Sequence, residues 1–212
     1  VIVNGEESNI REYKNHLKIE ENEITIVFSD KLNSCEYMFS GRYNIIKINL
    51  SNLDLSNVKN MECMFDGCES LQSLNFGNIN TSSVKNMQFL FYYCSSLTSL
   101  DLSYFDTSLV TNMRYMFHLC ESLKYLDISS FNTSLVQDME LIFYYCSSLT
   151  SLDLSHFNTS SVTNMHKMFQ RCFGLISLDI SSFNTSSITN MAWMFQYCRK
   201  LESLDYLILT LL

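Results

Sequence analysis

The chain has no proline, only five glycines and a single tryptophan in 212 residues. A loop-rich domain with so little turn punctuation has to reuse one turn geometry again and again. Lysine and arginine total 14 against 22 aspartates and glutamates, a formal charge of −8. The basic clusters that a phosphate backbone demands are absent, so nucleic acid is excluded as a partner, and the acidic balance favours solubility, cations or basic ligands. No run of about 18 apolar residues occurs, which argues against membrane insertion as an apolar helix. No basic-then-apolar signal segment is visible either. Glycine-rich phosphate loops and C-x-x-C pairs are missing, which argues against nucleotide and structural zinc sites. His16, His118, His156 and His166 meet no recurring nucleophile or carboxylate, so nothing points to an enzyme and no cofactor is implied.

What is present is a period. Cys68, Cys94, Cys120, Cys146, Cys172 and Cys198 follow one another at 26 residues, as do Phe39, Phe65, Phe91, Phe117, Phe143, Phe169 and Phe195, and Leu71 to Leu201. All 11 methionines fall in two columns, one of them Met61, Met87, Met113, Met139, Met165 and Met191. The other column admits Leu90 and Ile142 in place of methionine, which marks packed interior. In the unit Leu97–Ser122, Leu100 and Leu102 alternate with Ser99, Asp101 and Ser103, the period of a short strand. Val110, Met113, Phe117 and Cys120 lie three or four apart, and that spacing predicts a short helix. A unit of strand, turn, helix and return cannot bury its apolar face alone, so the units must stack.

The expected fold is therefore an α/β repeat, a right-handed solenoid of leucine-rich-repeat type with one short parallel strand and one short helix per unit. Six units run from about Ile45 to Lys200, with a half unit to Asp205. Residues 19–44 read as a divergent N-terminal capping unit and residues 1–18 carry no repeat signal. The apolar tail 206–212 is either a cap strand or a truncation point.

The string LDLS-x-F-[DN]-T-S-x-V-x-N-M-x-x-M-F-x-x-C-x-S-L resembles the BspA-like leucine-rich repeats, the 26-residue bacterial surface protein repeat also called DUF285. The resemblance covers about residues 45 to 205. It implies a cell-surface or secreted protein with a role in adhesion, and leaves the ligand open.

Candidate positions then divide by column. The cysteine ladder reads as free buried thiols, with Cys35 and Cys63, which lie off it, the better candidates for a disulfide. Asn60, Asn86, Asn112, Asn164 and Asn190, with Asp138 in their column, are suited to satisfying turn backbone. Asn80, Asn132, Asn158 and Asn184 match glycosylation sequons, as does Asn49, yet Asp54 and Asp106 share the first four residues' column, so the position wants a short turn-capping acceptor. Asp101, Asp127, Asp153, Asp179 and Asp205 form an outward ribbon that either caps turns or recognises a cation or basic ligand. Tyr92, Tyr93, Tyr115, Tyr144, Tyr145, Trp193 and Tyr197 occupy variable columns and are candidates to anchor a protein or glycan. The leading expectation is a recognition or adhesion module. A structural spacer that assembles end to end, or an intracellular protein scaffold, is the alternative.

Overall fold

The computed structural model describes residues 31–205 and, before them, three two-residue strands, β1 (Ile2–Val3), β2 (Glu6–Glu7) and β3 (Ile24–Thr25), paired antiparallel in the order β2-β1-β3. The rest of segment 1–18, residues 19–30 beyond β3, and the tail 206–212 lie outside the described residues. The repeat strands are β4 (Lys47–Asn49), β5 (Ser73–Asn75), β6 (Ser99–Asp101), β7 (Tyr125–Asp127), β8 (Ser177–Asp179) and β9 (Ser203–Asp205). They pair in parallel, with Lys47 opposite Ser73, Ser99 opposite Tyr125 and Ser177 opposite Ser203, so the pairing step is one 26-residue unit. A second ladder of parallel bridges runs from Ser34 through Asn60, Asn86, Asn112, Asp138 and Asn164 to Asn190.

Between the ladders lies one core. Met61, Met87, Met113, Met139 and Met165 are fully buried. The phenylalanines from Phe39 to Phe195 form a continuous stack with centroids 5.4–5.6 Å apart and planes within 10° of parallel. Threonine fits because each Oγ1 works twice: Thr107 Oγ1 donates to the Asn132 carbonyl at 2.9 Å and accepts from the Asn132 amide at 2.8 Å. Thr81, Thr133 and Thr159 do the same one unit apart, so a fully buried hydroxyl leaves no polar atom unpaired.

The expected helix is not there; among the described residues no segment is helical. The stretch that should carry it is a chain of tight turns. In Met61–Cys68, alternate amides close local turns, Met64 N to Met61 O, Asp66 N to Cys63 O and Cys68 N to Phe65 O. The others reach across to the next unit, Cys63 N to Gln88 O, Phe65 N to Leu90 O and Gly67 N to Tyr92 O, at 2.9–3.1 Å. Every second amide thus stitches neighbours together, whereas a helix would spend all of them inside its own unit. The turns 61–64 and 65–68 have left-handed backbone at their third residue, Cys63 (φ 54°) and Gly67 (φ 70°), as type II turns need. The same two positions are left-handed in all seven turn segments, from Tyr37 and Gly41 to Trp193 and Tyr197.

Left-handed backbone is poorly tolerated by β-branched side chains, and neither column contains a valine, isoleucine or threonine. The volume-conserving change Leu119→Ile is therefore expected to cost about 2 kcal/mol, because the φ of 61° persists while the side chain branches at Cβ. Leu119→Gly should stay within about 1 kcal/mol of the parent, as lost contact is offset by relief of the left-handed strain. Urea unfolding of the two variants measures the difference. A helix would give the opposite order.

Candidate functional site

Three corners of each unit are built alike, by an Asx side chain that accepts the amide two residues on. In the unit of Asp101 these are Asp101 with Ser103, Asp106 with Ser108, and Asn112 with Arg114, at 2.9, 2.9 and 3.0 Å. The Asp ribbon is thereby engaged: Oδ1 of Asp127, Asp153 and Asp179 accepts from Ser129, Ser155 and Ser181 at 2.8–3.0 Å. In Asp127 and Asp153 the serine hydroxyl also donates, at 2.7 Å. Serine hydroxyls and amides together hold these three carboxyls below the usual carboxylate range. Asp101, Asp153 and Asp179 are exposed, and Asp205 ends β9. No cluster of three or more potential metal-ligating side chains occurs among the described residues. The column of Asn80, Asn132, Asn158 and Asn184 caps turns through Ser82, Ser134, Ser160 and Ser186.

All eight cysteines are free thiols. Each ladder sulfur donates to a phenylalanine carbonyl in the preceding unit, from Cys68 to Phe39 O at 3.2 Å through to Cys198 to Phe169 O at 3.0 Å. A methyl in that place would fill the volume but leave the second lone pair of the carbonyl unpaired. Burial pushes the thiols up, to about 12 for Cys68 and Cys120 and to about 11 for Cys35, Cys63 and Cys198.

The turn edge outside this framework is where residue types vary. Its backbone is fixed by the cross-unit amides and its two left-handed columns exclude β-branched side chains, but within that limit residue types change from unit to unit, and many are aromatic or charged. Phe89 stacks on Tyr115 at 4.7 Å. His118 lies between Tyr92 and Tyr144, with ring centroids 4.7 and 4.6 Å away and planes within 12°. Burial holds His118 down to about 4, so it is neutral at physiological pH, and its Nδ1 has no hydrogen-bond partner. Towards the C-terminal units the rings carry cations: Lys167 Nζ sits 4.7 Å above Trp193, Arg171 is 5.6 and 5.5 Å from Tyr145 and Tyr197, and Arg199 is 5.3 Å from Phe173. In the middle, Glu140 joins Arg114 and His166, and Arg114 Nε also meets Asp138 at 3.2 Å. The structure therefore places all seven candidate aromatics on one edge. Tyr93, Trp193 and Tyr197 are the exposed ones, at 36%, 57% and 49%. Tyr92, Tyr115, Tyr144 and Tyr145 are half-buried by their stacking partners. Residue types alone did not single out Lys167, Arg171 and Arg199. The signal for them lay in the columns, where a ring one unit away offers each cation a face.

A family model described as "Mycoplasma protein of unknown function, DUF285" matches residues 33–125 and 120–206. No curated protein matches the chain. Among solved structures, the T. pallidum leucine-rich-repeat protein TpLRR is similar at 20% identity, with a TM-score of 0.53 over 79% of this chain and 70% of that one. That likeness supports a repeat fold of solenoid type with parallel strands, here without helices among the described residues. The chain belongs to the DUF285 family of BspA-like 26-residue leucine-rich repeats.

Proposed function

We propose that the protein is a non-enzymatic recognition module, displayed outside the cell or at its surface, that binds a protein or glycan through its turn edge. Family membership and the leucine-rich-repeat fold support an interaction module in general. The observation that points to the edge is the run of rings and cations Tyr93, Tyr145, Lys167, Arg171, Trp193 and Tyr197, with Lys167 over Trp193 and Arg171 beside Tyr145 and Tyr197, in columns whose residue type changes from unit to unit. Such side chains combine large contact area with a polar or charged rim, the composition of binding hot spots. The Asp ribbon is the weaker surface, since each described carboxylate is already employed in closing a turn.

Trp193 is the chain's one tryptophan and lies on this edge, so its fluorescence reports occupancy directly. Screening against immobilised glycans and extracellular proteins should yield a ligand that changes Trp193 emission and shields it from acrylamide. Tyr197→Ala with Arg171→Ala should weaken that ligand by about tenfold to a hundredfold. Binding that leaves Trp193 emission and the double variant unaffected would place recognition on another face.

A further inference from the structure

Among the described residues the turn edge has seven segments, and their net charge changes sign about the fourth. The first two are net acidic, with Glu36 and Arg42, then Glu62, Asp66 and Glu69; the last two are basic, with Lys167 and Arg171, then Arg199 and Lys200. The third and fifth each hold a tyrosine pair, Tyr92 with Tyr93 and Tyr144 with Tyr145. The fourth holds Arg114, Tyr115 and Glu121, one charge of each sign around a ring. Glu140, the acid of the fifth segment, pairs with Arg114 of the fourth and lies 3.2 Å from His166 Nδ1. None of the acids in the first two segments, and none of Lys167, Arg171 and Arg199, has an ion-pair partner among the described residues.

A surface with acids at one end, bases at the other and like rings between is complementary to itself when turned through a half turn. We infer that a second copy of this chain is the partner of the turn edge, docked antiparallel across a two-fold axis at the segment of Arg114 to Glu121. In that arrangement the acids of each copy face the bases of the other, the Tyr92–Tyr93 pair faces the Tyr144–Tyr145 pair, and Tyr115 meets its own counterpart. Two-fold contacts are isologous, which requires this kind of palindrome. A parallel arrangement would set acid on acid and base on base and is disfavoured by charge alone. Spacing agrees, because both edges advance by the same step between units, 5.4–5.6 Å along the phenylalanine stack, so matched segments stay in step along the whole contact. An extended peptide presents same-side residues about 6.7 Å apart and would drift out of step within a few units. The inference rests on the reading of the turn edge as the recognition surface and names its partner; recognition is then homophilic.

Sedimentation of the whole chain over a range of concentrations should show a monomer–dimer equilibrium that shifts towards monomer as salt rises, since the end contacts are rim charges. Two charge-reversed proteins sharpen the test. Lys167→Glu, Arg171→Glu and Arg199→Glu together make both ends acidic, and Glu36→Lys, Glu62→Lys and Glu69→Lys together make both ends basic. Each should dimerise at least about a hundredfold more weakly than the parent, because like charges now face one another. An equimolar mixture of the two should recover dimer of parental affinity, since only the heterodimer pairs opposite charges at both ends. Circular dichroism melting checks that both variants fold, and the milder Glu36→Gln and Arg199→Gln, with intermediate losses, serve if either does not. A parent that stays monomeric at every concentration overturns the inference, as do variants that dimerise like the parent or a mixture of folded variants that fails to recover dimer. If the protein is monomeric yet binds a foreign ligand that quenches Trp193, the homophilic inference falls while the turn edge stands as a recognition surface; if neither occurs, both fall.

Discussion

Raising the pH from 8 to 10 is expected to lower the protein's stability by about 7 kcal/mol. Cys68, Cys94, Cys120, Cys146 and Cys172 are at most 1% exposed, and burial pushes every one of them well above the ordinary thiol value of 9.0. In the folded chain these thiols hold their protons at pH 10; in the unfolded chain they release them. The folded state then binds more protons than the unfolded one, so stability falls as pH rises. Their contribution is fully present below pH 9 and is lost from there upward, towards the raised folded values. At pH 10 each unfolded thiol gains about 1.4 kcal/mol by ionising, and five together gain about 7 kcal/mol. Domains of this size are stable by only about 5–15 kcal/mol, so the loss is comparable with the whole. Urea midpoints measured from pH 7 to 10 test this. A midpoint that stays constant to pH 10 would mean that the ladder thiols are not buried as neutral groups. Reagent access offers a parallel reading: at pH 8 the five thiols should resist alkylation in the folded protein and react in urea.

The thiol ladder also shows what the amino-acid pattern could and could not disclose. Columns of cysteine, methionine and phenylalanine at one period announced stacked units with those residues inside, and they are inside. The Asx corners were equally legible, because aspartate and asparagine interchange only where a short acceptor is wanted. The turn segment was misread for a definite reason. Apolar residues three and four apart mark one face of a helix, but a run of tight turns whose inward residues are Met61, Met64, Phe65 and Cys68 produces the same spacing. The discriminating sign was negative: two columns of seven residues each without a single β-branched side chain. Interactions between units were less accessible still. The bond from Cys120 to the Phe91 carbonyl links residues 29 apart, and the reach of Arg171 to both Tyr145 and Tyr197 depends on where the turns aim their side chains.

Truncating one ring in the middle of the phenylalanine stack should produce the largest single-residue effect. Phe117 is fully buried, lies parallel to Phe91 at 5.6 Å and Phe143 at 5.5 Å, and its carbonyl receives the Cys146 thiol. Phe117→Ala removes the apolar burial of the ring, leaves a cavity that backbone ladders on either side prevent from closing, and ends two stacking contacts. The cost expected from large-to-small core changes is about 3–5 kcal/mol. Phe195 is a useful contrast, being only partly buried and stacked on Phe169 alone among the described residues. Phe195→Ala should cost about half as much or less. The difference matters because a stack of units is held by contacts between neighbours, so weakening a central interface divides the array into two shorter ones, whereas weakening the last merely frays an end. Hydrogen exchange should therefore show Phe117→Ala lowering protection of the cross-unit amides on both sides, Tyr93 N to His118 O and Leu119 N to Tyr144 O. In Phe195→Ala the loss should be confined to amides such as Arg171 N to Gln196 O. Equal losses at the two sites would mean that the core is not a one-dimensional stack held together by its rings.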